Sequence, residues 1–256
     1  MNRLPMTWAV SKRAWAGVLV GGVLAAANPV GGVSAAAASV PDKTATEAAM
    51  PPVDGRYTLR RGLLKLGTAD FSLITLGGGC YRYSYAANPT GLARMFIGRV
   101  IEVSEFCMDG DTIVPRTYSF TREDEKDENY VLRFDHERHV ARTDGGVEIA
   151  FEGAVQDRLS LQLAVQRWVM ANKGKVSDAT YAVTQVEPDR IKVYEFRVTA
   201  RETLDLGKGP IETVKVERVD PSRRSIRVWA DPAQGYRIVQ VEQIKDGSVQ
   251  FQMQLE

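Results

Sequence analysis

The chain has only two histidines, His136 and His139, and both lie in the sequence Asp-His-Glu-Arg-His. On a strand, residues three apart point to opposite faces and cannot share a metal ion. In a turn they could converge, but a structural metal site needs four ligands, and no further histidine and no cysteine lies nearby. We therefore expect a polar hairpin turn here, with no bound metal and no cofactor.

The sequence also lacks the common catalytic signatures. No Gly-x-Ser-x-Gly nucleophile elbow and no dinucleotide fingerprint occurs, and glycines 77–79 are not followed by the Lys-Ser/Thr pair of a phosphate loop. Carboxylates are plentiful, so glycosidase-type chemistry stays open, but no pair is singled out. The sequence predicts no catalytic residue and a protein that is not an enzyme.

Five of the residues in the segment 121–129, TREDEKDEN, are acidic. The ordered ligand spacing and central glycine of a calcium loop are absent. We predict a solvated hairpin tip for this segment.

The two cysteines, Cys80 and Cys107, are an even count and flank the connection between two predicted strands. A hairpin would place them side by side, and an oxidising compartment would favour a disulfide bond. The alternative is two buried, separate thiols that form no disulfide bond. We favour the bridge, and the absence of Cys-x-x-Cys argues against a catalytic redox role.

The N-terminus predicts export to the periplasm. Residues 1–38 combine Arg3, Lys12 and Arg13 with a following apolar run and a small-residue site, as in a cleaved signal peptide. Its removal takes three of the 33 basic residues and none of the 32 acidic ones, leaving 30 and 32 and a net charge of −2. We therefore expect no nucleic-acid partner and no integral membrane segment after signal cleavage.

Residues 39–54 predict a flexible linker and residues 55–256 a single β-rich domain.

Residues 156–172 have the spacing of an amphipathic helix. Leu161, Val165, Trp168 and Val169 share one face, and Asp157 is placed to cap the N-terminus. Two interpretations stay open for the apolar face: it fills the core under a curved sheet, or it borders a ligand cavity.

Nearly everything else alternates with the period of two that is typical of half-buried antiparallel strands. Tyr81, Tyr83 and Tyr85 share one strand face, which lines either a core or a cavity wall. The pair Leu66-Gly67 predicts a turn. The fold class is mainly β: a single antiparallel meander curled into a barrel or half-barrel, with one amphipathic helix packed against the concave side.

Several motifs resemble those of the exported bacterial domain-of-unknown-function family 3108, and this resemblance extends over nearly the whole chain from Gly55. The matching segments are Leu66-Gly67, Asp111-Thr112-Ile113-Val114-Pro115, Asp157-Arg158-Leu159-Ser160, Trp229-Ala230-Asp231, Tyr236-Arg237-Ile238 and the hairpin at Gly247. The family often has a proline where this chain has Tyr236. The resemblance implies a strongly curved sheet with a helix on its concave side, similar in outline to the half-barrel lipoprotein carriers of the Lol system, which hold acyl chains between sheet and helix.

The sequence thus predicts a non-catalytic binding or carrier module for a hydrophobic or amphipathic ligand of the cell envelope. Its predicted cavity wall comprises Tyr81, Tyr83, Tyr85, Leu161, Val165 and Trp168, and its partner would be a lipid. The alternative is a structural or adaptor protein that binds another envelope protein through an exposed sheet edge.

Overall fold

The computed structural model describes residues 50–95 and 98–256. The predicted signal peptide and residues 39–49 of the predicted linker lie outside the described residues. Within the described part of the chain, no helix combines the length and the apolar character needed to cross a membrane.

In the described residues, fourteen antiparallel strands form one continuous sheet around a single α-helix. The first eight strands are β1 Gly55–Arg61, β2 Leu64–Gly77, β3 Cys80–Pro89, β4 Val100–Asp109, β5 Thr112–Arg122, β6 Tyr130–Asp135, β7 Val140–Thr143 and β8 Glu148–Ala150. After the helix α1, Ser160–Ala171, come β9 Tyr181–Glu187, β10 Arg190–Asp205, β11 Pro210–Arg218, β12 Arg224–Asp231, β13 Arg237–Lys245 and β14 Ser248–Leu255.

The sheet curls almost into a closed barrel. Strands β1 to β8 pair in sequence order, as do β9 to β14, and β14 also pairs with β1, with Leu59 opposite Met253. The two free edges are β8 and β9. Gln156 partly spans the gap, because its N–H donates to Thr184 O at 2.8 Å and its C=O accepts from Val186 N at 2.9 Å. The predicted fold class is confirmed.

The helix α1 packs into the barrel through more than one face. Leu161, Val165 and Val169 contact a core formed by β9, β10 and β11. Leu163 and Ala164 instead join the larger core formed by the first half of the sheet. The helix therefore separates two apolar clusters, and its buried surface is wider than the single predicted stripe.

The turn prediction at Leu66-Gly67 is wrong. Both residues lie inside β2, and the chain reverses earlier, around Gly62, which has a φ of 57°. Gly67 is instead a point of close approach between strands, because a Cβ atom there would lie 2.2 Å from Asn88 O. Only glycine lets β2 and β3 approach this closely.

The acidic segment 121–129 is a hairpin tip that is exposed or half-buried at every position except Arg122. It does connect β5 to β6, as predicted, but Arg122 is buried and its guanidinium pairs with Asp124 at 3.0 Å, Glu125 at 3.3 Å and Glu128 at 2.9 Å. Asn129 Oδ1 also accepts a bond from Arg122 N at 2.6 Å. The acidic side chains serve as partners of one buried cation, which a pattern of charges alone does not reveal.

Cys80 and Cys107 are opposite each other on β3 and β4 and form a disulfide bond, as favoured from the sequence. The bond closes a loop that contains the connection between the two strands.

Replacing both cysteines with serine should lower the free energy of unfolding by about 3 kcal/mol, because the unfolded chain then loses the constraint on a loop of this length. Urea unfolding of the oxidised protein and of the Cys80→Ser/Cys107→Ser variant measures the difference. The wild type in reductant is the matched control and should behave like the variant. Equal stability of the oxidised protein and the variant would contradict the expectation.

Candidate ligand-binding site

A cavity of about 160 Å³ lies between α1 and the concave face of the sheet. Its wall is mostly apolar and is contributed by the helix, by β2 to β4 and by β9 to β14. The lining residues are Phe71, Tyr85, Glu102, Arg158, Leu161, Gln162, Val165, Gln166, Val169, Gln185, Tyr194, Phe196, Val216, Arg218, Ile226, Val228, Ala230, Ile238, Val241, Gln243, Phe251 and Met253.

Half of the residues predicted as cavity wall line this cavity. They are Tyr85, Leu161 and Val165. The two helix residues reach it because they are four apart and so share a face of α1. The structure therefore brings the predicted helix face and the tyrosine strand to the same space.

The other three predicted residues lie elsewhere. Tyr83 is buried and lines a much smaller neighbouring pocket of about 10 Å³. Tyr81 stacks on Phe106 with ring centroids 5.6 Å apart, and Trp168 stacks on Tyr181 at 5.3 Å. These side chains pack against aromatic neighbours and form no part of the main cavity wall.

The sequence reasoning missed the contribution of the last four strands. Val216, Val228, Val241 and Met253 occupy neighbouring positions on β11 to β14, in register across the sheet. The period-two alternation of these strands was visible and identified their apolar faces. It did not show which positions along each strand lie level with the helix, because that depends on the register of distant strands.

A buried carboxylate fixes the N-terminus of the helix. Asp157 Oδ1 accepts from the backbone N–H of Leu159 at 2.8 Å and of Ser160 at 2.9 Å, and Asp157 O accepts from Leu161 N at 3.0 Å. Its other oxygen, Oδ2, accepts from the Ser104 hydroxyl on β4 at 2.6 Å. The predicted capping role is thus present, and the same side chain joins the helix to the barrel wall.

A second buried carboxylate, Glu102 on β4, binds the next residue of the same segment. Arg158 donates to Glu102 Oε1 at 2.7 Å, and the Tyr118 hydroxyl donates to Glu102 Oε2 at 2.6 Å. The guanidinium also lies over the Phe120 ring, 5.5 Å from its centroid. Both oxygens of Glu102 are therefore occupied by donors from the protein.

Burial changes the ionisation of this region. It raises the pKa of Asp157 to about 6, although the hydrogen bonds from Ser104 and the helix N-terminus act in the opposite direction. Burial likewise raises the pKa of Tyr85. For Arg158, burial lowers the pKa, but the facing Glu102 carboxylate and the neighbouring tyrosines raise it by more, so the net change is upward.

A second arginine lines the cavity from the opposite strands. Arg218 at the end of β11 lies over the Tyr194 ring, 5.1 Å from its centroid, and pairs with Asp220 at 3.0 Å. The Tyr194 hydroxyl in turn donates to Glu187 at 3.2 Å. Asp220 and Glu187, which do not line the cavity, thus hold Arg218 and Tyr194 in place.

Two lining glutamines have incomplete hydrogen bonding. In the described part of the chain, the amide oxygens of Gln166 and Gln185 are buried and accept no hydrogen bond. A buried acceptor of this kind costs about 1–3 kcal/mol when it stays unsatisfied. Gln166 does donate through its amide nitrogen to Tyr236 O at 2.9 Å.

The histidines do not line this cavity and lie at the turn between β6 and β7. His136 Nε2 is 2.6 Å from Pro115 O, and the rings of His136 and His139 both contact Phe151. In residues 50–95 and 98–256, no group of three or more His, Cys, Asp or Glu side chains is arranged to hold a metal ion. The turn itself is present as predicted.

Among the described residues, the cavity wall can enclose an apolar group, and Glu102, the one carboxylate that lines it, is engaged. Glu102 lines the cavity with both oxygens engaged, and Asp157 does not line it at all. A general acid or base must reach the proton that it transfers. The two buried carboxylates therefore have a structural explanation.

Comparison with known proteins identifies a family and a distant structural neighbour. The family model described as "Protein of unknown function (DUF3108)" matches residues 56–255, which confirms the resemblance seen in the sequence motifs. A crystal structure of a beta-barrel-like protein of domain of unknown function DUF1849 from Brucella abortus matches with a TM-score of 0.46 and 11% identity, covering 81% of this chain and 98% of that chain. A search of curated proteins finds no match.

The raised pKa of Asp157 should make the protein less stable as the pH rises. Between its ordinary value of 3.8 and the folded value of about 6, the folded state binds more protons at this group than the unfolded state. The contribution of Asp157 to the unfolding free energy therefore falls by up to about 3 kcal/mol as the pH rises from 4 to 7.

The variant Asp157→Asn keeps an oxygen to cap the helix but cannot ionise. Urea unfolding across this pH range should show the wild type losing stability relative to the variant as the pH rises. Asp157→Ala, which also removes the cap, should be less stable than Asp157→Asn by about 1 kcal/mol at every pH. Parallel profiles for wild type and Asp157→Asn would contradict the role of this carboxyl.

Removing Glu102 should destabilise the protein by about 3 kcal/mol, because Glu102→Leu leaves the Arg158 guanidinium without its carboxylate in a largely buried site. The double variant Glu102→Leu/Arg158→Leu should recover most of this loss. A double-mutant cycle by urea unfolding measures the coupling between the two side chains. Additive losses would show that the pair is not coupled.

Proposed function

The chain belongs to the DUF3108 family of proteins of unknown function, and from that premise we propose that it is a periplasmic, non-catalytic binding or carrier module for an amphipathic ligand of the cell envelope. The observation that carries the proposal is the apolar cavity between α1 and the concave face of the sheet. Largely apolar concave sites with a few placed polar groups are the usual form of small-molecule sites.

The composition of the wall supports an apolar chain as the enclosed part of the ligand. Aliphatic side chains of β11 to β14 face Leu161 and Val165 across the cavity. The volume of about 160 Å³ is roughly half of the ~300 Å³ at the lower end of typical ligand pockets. The cavity in this state therefore fits one short apolar segment, and a longer ligand would extend beyond it.

The polar groups at the cavity wall support a ligand that also has a polar or anionic part. Arg158 keeps about a fifth of its side chain exposed, at 22%. It has hydrogen-bond donors beyond the one that Glu102 accepts. The unsatisfied amide oxygen of Gln185 would accept from a ligand hydroxyl or amide after a small side-chain rotation. An amphipathic ligand uses both kinds of surface.

Export is supported by two independent features of the chain. Residues 1–38 have the composition of a signal peptide, and the Cys80–Cys107 disulfide suits an oxidising compartment. Together they favour the periplasm as the compartment in which the ligand is bound.

The alternative, an adaptor that pairs through a sheet edge, has less support. The edge strand β8 has only three residues, and the other edge, β9, already pairs with Gln156. Strand addition needs a longer run of free backbone groups. A partner bound by strand addition therefore has little backbone to pair with.

Filling the cavity should abolish ligand binding without unfolding the protein. Val165→Phe adds a ring where the wall already encloses empty space, so we expect stability to change by less than about 1 kcal/mol. Native mass spectrometry of protein purified from the envelope should detect a copurifying amphiphile in the wild type and none in the variant.

Val147→Phe, at an exposed position in the turn between β7 and β8, is the matched control and should retain the ligand. A fluorescent fatty-acid probe gives a second readout that does not depend on copurification. The proposal fails if the wild type binds neither the native amphiphile nor the probe, or if Val165→Phe binds the probe as tightly as the wild type.

A further inference from the structure

Four large apolar side chains are exposed at one end of the barrel. Leu63 is fully exposed at 101%, Leu92 and Met95 are exposed at 76% and 74%, and Leu64 at 61%. Leu63 and Leu64 lie at the turn between β1 and β2, and the other two lie on a short 3-10 helix, Gly91–Met95, between β3 and β4. A cluster of exposed apolar side chains usually marks an interaction site.

The two connections are neighbours in space. Gly67 on β2 pairs with Pro89 on β3, and Thr90 N donates to Leu66 O at 2.9 Å. Leu64 and Leu92 each lie two residues from this hydrogen bond. The four apolar residues therefore form one surface, which we call the tip surface.

Basic residues flank the apolar residues of the tip surface in the sequence. The segments 59–67 and 90–99 contain five basic residues and no acidic residue. Lys65 pairs with Glu256 at 3.8 Å, whereas Arg60, Arg61 and Arg94 have no carboxylate within ion-pair distance among the described residues. These arginines are available to an external anion.

Part of the cavity wall lies at the same end of the barrel. The C-terminal part of α1 is bound to the opposite end, where Arg167 reaches Asp111 at 3.3 Å and Gln166 reaches Tyr236 O at 2.9 Å. At the tip end, Arg60 on β1 pairs with Gln252, which lies between the lining residues Phe251 and Met253. The tip surface thus adjoins the strands that form the cavity wall.

We propose that the tip surface docks the protein on an anionic lipid membrane, with Leu63, Leu64, Leu92 and Met95 entering the interface and the arginines contacting lipid phosphates. Apolar side chains on protruding turns with basic neighbours have the composition of an interfacial membrane contact. Arginine pairs with phosphate through two parallel hydrogen bonds. A folded protein partner would need a complementary cleft for each protruding turn, whereas a fluid lipid surface accommodates both.

The neighbouring acidic segment sets the orientation of docking. Glu123 N donates to Arg99 O, so the hairpin between β5 and β6 borders the tip surface. Three of its carboxylates are engaged by Arg122, and Glu123 remains exposed. Repulsion from anionic lipid turns this hairpin away and directs the β1–β2 and β3–β4 connections to the membrane.

Cosedimentation with vesicles tests the proposal. The full chain is expressed, purified and mixed with vesicles of phosphatidylcholine alone or with added phosphatidylglycerol. We expect binding to the anionic vesicles that weakens at about 0.5 M salt. The variant Leu63→Ser/Leu92→Ser should bind about tenfold more weakly per leucine removed, and Arg60→Gln/Arg61→Gln should lose the preference for anionic lipid.

Matched controls sit at the opposite end of the barrel. Leu76→Ser and Arg138→Gln change exposed residues of the same types there and should bind like the wild type. Because the wild type and all variants share the same N-terminal segment, a difference between them reports on the substituted residues. Val165→Phe should also bind vesicles normally, so a failure of membrane docking and a failure of ligand binding are distinguishable.

The proposal is overturned if the wild type binds no vesicle, or if the tip variants bind as well as the Leu76→Ser and Arg138→Gln controls. It is also overturned if light scattering shows a dimer that the tip variants dissociate while vesicle binding is absent. In that case the surface contacts a second copy of the chain.

Discussion

The structure depends on the burial of two carboxylates at the point where the helix begins. Asp157 and Glu102 are both almost fully inaccessible, and each is satisfied by donors from the helix segment and the barrel wall. A buried carboxylate is costly unless its hydrogen bonds are complete, so few positions of the segment relative to β4 and β5 are acceptable. Ser104, Tyr118 and Arg158 define that position.

The helix position then determines where space is left inside the barrel. Its N-terminus is held against the first half of the sheet, where Leu163 and Ala164 complete a packed core. On the other side, Leu161 and Val165 face β10 to β14 across the cavity. Because aliphatic walls cannot replace the hydrogen bonds of water, this space is suited to an apolar group and poorly suited to a hydrated one. The position and the apolar character of the cavity are thus a consequence of how the helix is anchored.

Features that depend on local sequence could be predicted, and those that depend on register could not. The alternation of β14 predicts a strand, Asp157 predicts a helix cap, and Cys80 with Cys107 predicts a bridge between adjacent strands. Pairing between distant segments decides which part of each strand lies beside the helix, and a local pattern does not reveal that pairing. The sequence therefore predicted Tyr81 and Trp168 on the cavity wall, where they do not lie, and missed Arg218, which does line the cavity. Arg122 shows the same limit, because only the folded turn gathers three carboxylates around it.

Native-state hydrogen exchange measures most directly whether the buried carboxylates make the helix an integral part of the barrel. The account predicts that the amides of Leu161, Val165 and Val169 exchange only with opening free energies close to the global free energy of unfolding, like those of the central strands β2 to β4. The contradicting result is exchange of these helix amides by a separate, much lower-energy opening while the strand amides stay protected. In that case the helix would be a loosely held segment, and the cavity would have no fixed wall.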